Sequence, residues 1–248
     1  MLKVKQIIRF LVFPSLLLIS FVIGYCVLAA IDQTFLKLQE ARIFPLGFVP
    51  QLEGQQTRTS QKEVLLMLGD SRISMWPQKL WPSKYDVINI GHGGQTSSQV
   101  ALQLKTQHIP RGKFAFVQVC VNDLHSLGGM PEHQDYVVNQ CKRNLSSIVD
   151  SLQNLGYIVI ISTIFPPSHP PFNRARYWPG NFEMILDDIN SYIRSLGSES
   201  VKIFDSYAML KDAESAYLDA RYADADFFLH INAVAYEYLT KQLNEVLF

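Results

Sequence analysis

Four short stretches of this 248-residue chain carry residues able to do nucleophilic chemistry. Gly69-Asp70-Ser71 closes the apolar run Val64 to Leu68 and leaves one hydroxyl at its end. Asn89-Ile90-Gly91-His92-Gly93-Gly94-Gln95-Thr96 is a glycine-rich turn, and Cys120-Val121-Asn122-Asp123 ends another apolar run. Asp224-Ala225-Asp226-Phe227-Phe228-Leu229-His230-Ile231-Asn232 precedes the last amphipathic stretch. A serine hydroxyl is a poor nucleophile until a neighbouring base takes its proton, and His230 is the candidate base. Attack on an ester carbonyl creates an oxyanion. The backbone N–H groups of Ser71 and Gly94 and the side-chain amide of Asn122 are candidate donors to it. An acid beside His230 would fix its tautomer and stabilise the imidazolium. Alone, Gly-Asp-Ser is equally a βα turn in which Asp70 or Ser71 caps the next helix. Its distant partners are what make it a candidate nucleophile.

These stretches need a scaffold that brings them to one edge. Short runs rich in β-branched residues predict strands over Val64 to Leu68, Tyr85 to Ile90, Phe114 to Val121, Tyr157 to Thr163 and Val201 to Phe204. Helical patterns cover Ser97 to Gln107, Gln134 to Leu155, Asn181 to Leu196 and Ala233 to Val246. Alternation of this kind predicts parallel pairing and a three-layer α/β domain, whose chemistry sits at the carboxyl edge of the sheet. Gly156 and Gly197 each follow a helix and fit the left-handed position that ends one. Residues 164–180 hold too many prolines for either element. They read as a long loop at the carboxyl edge, with Arg174, Arg176, Tyr177 and Trp178 able to line a cleft or to cover the core. Trp76 and Trp81 read as packing residues rather than sugar platforms.

The set GDS, then NxGxxGxT, then a strand end in ND, then an acid-rich loop with a late histidine resembles the SGNH (GDSL-like) hydrolases. The order is the expected one and the resemblance covers residues 63–248. It implies a flavodoxin-like three-layer α/β/α sandwich with a parallel sheet, and hydrolysis or transfer of an acyl group carried on oxygen. It also implies Ser71 as nucleophile, His230 as base, and Ser71, Gly94 and Asn122 as the oxyanion hole, with no cofactor. Three positions depart from the pattern. Phe227 stands three before the histidine where an aspartate is usual, so the acid is assigned to Asp226, one residue further back. Cys120 replaces the glycine usual two before Asn122. Arg72 follows the nucleophile in place of an apolar residue, where it could bind an anionic substrate or pair with a nearby acid, and His92 and His125 are candidates either for contacting substrate or for surface and packing roles. The lipase elbow GxSxG is absent, because Ile73 stands where its second glycine would be.

The chain has 22 basic and 22 acidic residues, so nothing in its charge points to a nucleic-acid partner. No cysteine or histidine spacing resembles a zinc site, and no metal is expected. Cys120 and Cys141 could pair in an oxidising compartment or stay as buried thiols. Phe10 to Ile31 has no charged residue and, as a helix, would span roughly 33 Å at about 1.5 Å per residue, enough for a bilayer core. Lys3, Lys5 and Arg9 precede it, which orients the N-terminus to the cytoplasm. A cleavable signal peptide is the rival reading, and a retained anchor is preferred because the run exceeds an ordinary signal core. The expected organisation is an anchor over 1–31, a juxtamembrane linker over 32–62 and a hydrolase domain over 63–248. The expected function is a single-pass, extracytoplasmic serine esterase acting on an O-acyl or O-acetyl ester of a cell-envelope glycan. Two other readings use the same fold. One is an O-acyltransferase that passes an acyl group from a membrane-bound donor protein to a polysaccharide. The other is a catalytically silent scaffold, suggested by Phe227.

Overall fold

The computed structural model describes residues 2–43, 62–175 and 177–247. It divides into two units, Met1–Glu40 and Ala41–Phe248. Helix α1 (Leu2–Ile43) forms the first, and its Ser15–Leu38 window has a mean hydropathy of 2.2. That is long and apolar enough to cross a membrane, although a signal sequence has the same character. The helix runs past Ile31, where the linker was expected, as far as Ile43. The reason is local: Leu36 to Ala41 is a run of strong helix formers with no glycine or proline. The rest of the expected linker, 44–61, lies outside the described residues.

The second unit is built on five strands, β1 (Glu63–Gly69), β2 (Tyr85–Asn89), β3 (Phe114–Gln118), β4 (Ile158–Ser162) and β5 (Val201–Phe204). All pair in parallel in the order β2-β1-β3-β4-β5. In chain order the helices are α2 (Ser71–Ser74), α3 (Ser97–Thr106), α4 (Val121–Ser126), α5 (Gln134–Asn154), α6 (Phe172–Ala175), α7 (Phe182–Ser195), α8 (Ser206–Leu210) and α9 (Ala233–Val246). Side chains alternate across each strand and so feed two cores. Leu65, Met67, Val87, Phe116 and Ile160 join Ile73, Trp76 and the α9 residues Tyr236, Leu239 and Leu243 on one face. Leu66, Leu68, Ala115, Val117, Val159 and Ile161 are fully buried on the other, where α3, α5 and α7 pack side by side. Trp76 and Trp81 are core residues. The Trp76 indole donates to Thr240 Oγ1 at 2.9 Å and meets Phe116 and Tyr236 edge-on.

Several boundaries shift from the sequence reading. β3 stops at Gln118, and Cys120 turns the chain with a left-handed backbone (φ 93°) into α4. Asn122 therefore stands in the first turn of a helix rather than at a strand end. Gly156 ends α5 in the left-handed conformation (φ 88°), with its own N–H on Gln153 and that of Tyr157 on Leu152. Gly197 does not repeat the device: its φ is not positive, and the helix ends without a left-handed residue. Cys120 and Cys141, left open by the sequence, form a disulfide.

Strand order reverses between β1 and β3, and at such a switch point the carboxyl ends of the strands are where α/β sheets hold their sites. The two ends come very close. A Cβ at Gly69, whose φ is 149°, would lie 1.8 Å from the Gln118 carbonyl oxygen. Gly69→Ala should therefore cost about 3 kcal/mol or more, from strain and overpacking together. Chemical denaturation of the full chain in detergent micelles would register this. A variant of unchanged stability would mean that the strand ends are looser than described.

Candidate active site

Ser71 opens α2 directly at the end of β1. Asp70 caps that helix, its carboxylate accepting the Arg72 N–H at 2.9 Å, so the capping role and the exposure of the next hydroxyl come from one turn. The glycine turn after β2 is stitched onto it. His92 N–H donates to Gly69 O at 3.0 Å, the Asn89 amide donates to Ile73 O at 2.6 Å, and Asn89 Oδ1 accepts from Gly91 N–H at 3.0 Å. A Cβ on Gly91 would lie 2.7 Å from Ile73 Cγ2, so only glycine permits that approach. Gly94 is left-handed (φ 76°). The next carbonyl, that of Gln95, accepts from Asn122 Nδ2 at 2.9 Å, which leaves the second amide hydrogen of Asn122 to serve another acceptor.

Asp123, beside it, is buried and receives the N–H and the hydroxyl of Ser97 at 2.9 and 2.6 Å. Burial pushes its carboxyl up to about 6 despite these bonds. Cys120, Asp123 and Cys141 place their donor atoms within 4.8 Å of one another, a spacing that a metal could use. Here the sulfurs are bonded to each other and the carboxylate is taken by Ser97, so the donor set is already spent.

His230 arrives from the loop before α9. Its Nε2 lies 3.1 Å from Ser71 Oγ, and its backbone N–H donates to Phe227 O at 2.8 Å. The Phe227 ring packs on the imidazole with centroids 4.7 Å apart. The His230 pKa is lowered, first by burial and then by the nearby Arg72 cation, with Asp224 opposing both. The shift favours the neutral ring, the form in which an imidazole can accept a proton.

The structure brings Ser71 and His230 together and ties Asn122 to the glycine turn that holds Gly94, but it separates the remaining candidates. Among the described residues no carboxylate hydrogen-bonds or ion-pairs with His230, and Asp226 is exposed. Asp224 accounts for this: its carboxylate accepts the N–H groups of Asp226 and Phe227 at 2.9 and 3.0 Å, and the resulting turn leaves the Asp226 side chain in solvent. Arg72 is not a substrate ligand. It is fully buried, donating to Leu229 O and Phe165 O at 2.6 Å each, with its guanidinium 5.5 Å from the Phe165 ring. His125 is buried in a cluster with the rings of Trp178 and Phe228. His92 remains exposed in the glycine turn, its Nδ1 3.1 Å from Gly93 O. In the loop after β4, Arg174 and Phe172 are exposed while Trp178 packs on Phe182 and Phe228. Arg176 lies outside the described residues.

The sequence reading missed the tethering role of Arg72 and of Tyr236, whose hydroxyl donates to Arg72 O at 2.8 Å. A charged residue placed between Ser71 and the buried Ile73 was the available signal. Arg72 joins the nucleophile turn to the carbonyl just before His230 and to the loop after β4. Ser168 N–H, donating to Phe228 O at 2.7 Å, ties the same two loops again.

No protein-family model matches the sequence, and a comparison with curated proteins finds no match. Solved structures do match. A Streptococcus pneumonia protein named for platelet activating factor superposes with a TM-score of 0.60 at 17% identity, covering 93% of this chain and 99% of its own. A GDSL-like lipase of Bacteroides thetaiotaomicron gives 0.58 at 18% identity, covering 78% and 93%. An acetylxylan esterase of Geobacillus stearothermophilus gives 0.54 at 15% identity, covering 75% and 94%. The chain has the fold of the SGNH, or GDSL-like, hydrolases.

Arg72→Met keeps the bulk of the side chain and removes every donor, so the carbonyls of Leu229 and Phe165 lose their partner inside the protein. A loss of about 2 to 6 kcal/mol is expected, at about 1 to 3 kcal/mol for each of the two stranded groups. It should lower the denaturation midpoint of the full chain at an unchanged slope. An unmoved midpoint would show that the guanidinium is no tether.

Proposed function

We propose that this chain is a membrane-anchored serine esterase of the SGNH type that cleaves an O-acyl ester outside the cytoplasm. The observation that carries the reading is the 3.1 Å contact between His230 Nε2 and Ser71 Oγ at the switch point of the sheet. In the proposed reaction His230 takes the Ser71 proton as Oγ attacks the ester carbonyl. The oxyanion is held by the N–H groups of Ser71 and Gly94 and by the free amide hydrogen of Asn122. Protonated His230 then gives its proton to the departing alcohol, and a water activated by the same ring releases the acid from the acyl-enzyme. Asp224 contributes through its charge alone, whereas Phe227 holds the ring in place by packing.

The anchor reading is supported by the apolar stretch of α1 and by the three basic residues that precede it. A carbohydrate O-acetyl ester as substrate is supported by the fold shared with an acetylxylan esterase. Arg72 had been the reason to expect an anionic substrate, and its burial removes that reason.

The full chain in detergent micelles should hydrolyse p-nitrophenyl acetate. Ser71→Ala should lower kcat by at least about 10³-fold, and Asn122→Ala by about 10²- to 10³-fold. A fluorophosphonate should label wild type at Ser71. Turnover that survives in Ser71→Ala would remove that residue from its role, and an unlabelled, inactive wild type would favour the scaffold reading. An acyl-enzyme that a sugar acceptor intercepts ahead of water would make the protein a transferase instead.

The pH profile follows from His230, which must be neutral to act. The acid limb of kcat/KM should have its midpoint below 6.5, because the folded protein lowers this pKa. Asp224→Asn keeps an oxygen for the turn but removes the charge that raises His230, so the limb should move to still lower pH. Asp226→Ala should leave it in place. A midpoint above 6.5, or a limb that responds to Asp226 and not to Asp224, would contradict this arrangement.

A further inference from the structure

We propose that the Cys120–Cys141 disulfide is a positioning device for Asn122, holding residue 120 in a backbone conformation that a glycine would adopt freely. Among the described residues Cys120 alone has a positive φ without being glycine. At φ 93° and ψ −11° its Cβ crowds its own backbone, a conformation that cysteine rarely takes, and its side chain makes no capping hydrogen bond to offset the cost. The conformation is nonetheless what the site requires. It breaks the extended path of β3, starts α4 through the Leu124 N–H on Cys120 O at 3.1 Å, and two residues later delivers the Asn122 amide to the Gln95 carbonyl.

The side chain of Cys120 is held from α5. Its sulfur is bonded to Cys141, both residues are fully buried, and the closed loop spans 21 residues. Asn144, three residues after Cys141 and so on the same face of α5, donates to Ser97 Oγ at 2.9 Å, and that hydroxyl donates to Asp123. One face of α5 thus grips α4 at residue 120 by a covalent bond and at residue 123 through Ser97, on either side of Asn122. Reduction would remove the first grip. Two electrons and two protons from dithiothreitol, which closes to its cyclic disulfide, would leave two thiols and free residue 120 to relax toward negative φ.

The inference rests on Asn122 being an oxyanion donor, so the test carries one readout that needs catalysis and one that does not. Full-length chains in detergent micelles are compared as oxidised wild type, as wild type reduced with dithiothreitol, and as two double variants. In one double variant Cys120→Ala is combined with Cys141→Ser, and in the other Cys120→Gly is combined with the same Cys141→Ser. Reduction and the alanine variant should each lower kcat on p-nitrophenyl acetate at least tenfold with little change in KM. The glycine variant should recover kcat to within about threefold of oxidised wild type and be insensitive to dithiothreitol. An alanine variant as active as oxidised wild type, or a glycine variant no better than alanine, overturns the proposal. The second readout is Tm. The glycine variant should melt above the alanine variant, the reverse of the usual order, because only a left-handed site favours glycine. That order is readable even if wild type hydrolyses nothing, an outcome that would sink the esterase reading alone. If alanine melts at or above glycine, the disulfide is not holding a left-handed backbone and the proposal fails.

Discussion

The candidate site hangs on how closely the ends of β1 and β3 approach each other. Gly69 presses so near the Gln118 carbonyl that no side chain fits there, and beyond that contact the two chains turn in opposite senses into α2 and α4. Two well-filled cores, one on each face of the sheet, hold the strands at that separation. The glycine turn after β2 is then fastened to the β1 end by Asn89 and His92 and to α4 by Asn122. A serine, two turns and an amide from three strands share one edge because hydrogen bonds to backbone carbonyls join them.

The same junction is unusually polar for an interior. Asp70, Arg72, Gln118 and Asp123 are all nearly or fully inaccessible. Burial raises the Asp70 carboxyl to about 6 and lowers the Arg72 guanidinium to about 10, each partly countered by the other's charge. Burying such groups is costly, and an apolar core of the same volume would often be as stable or more so. What they provide here is directional. Three of these side chains reach a backbone group of a specific segment: Asp70 its own helix start, Arg72 the histidine loop and the loop after β4, Asp123 the start of α3. An apolar core would pack the same loops without fixing which carbonyl lies beside which donor.

Much of this was legible in the sequence. The five strands and the four long helices follow from periodicity because their apolar faces are buried throughout, and the start of β2 at Tyr85 and both ends of α9 at Ala233 and Val246 lie where the pattern put them. Ser71, Gly94, Asn122 and His230 stood out because their residue types and order leave few alternatives. Three features were not legible, each for a physical reason. α4 is only six residues long and begins at a left-handed cysteine, so neither periodicity nor turn chemistry announces it. The role of Arg72 depends on two carbonyls 93 and 157 residues away. The orientation of Asp226 is decided by an Asx turn at Asp224, and a spacing argument that counts residues back from the histidine cannot see which carboxylate the loop turns outward.

The absence of an acid on His230 among the described residues changes what must hold the imidazole. In a triad the carboxylate orients the ring and stabilises the imidazolium, and one group serves both needs. Here the needs are divided. Orientation comes from the Phe227 carbonyl, which fixes the His230 backbone, from the Phe227 ring against its face, and from Arg72, which anchors the preceding residue. The charge that favours a protonated ring is that of Asp224, acting through space against the opposing charge of Arg72. Phe227, where the sequence comparison leads one to expect an acid, is therefore not simply a loss. It exchanges an electrostatic contact for a packing one, and the protonated ring is correspondingly disfavoured.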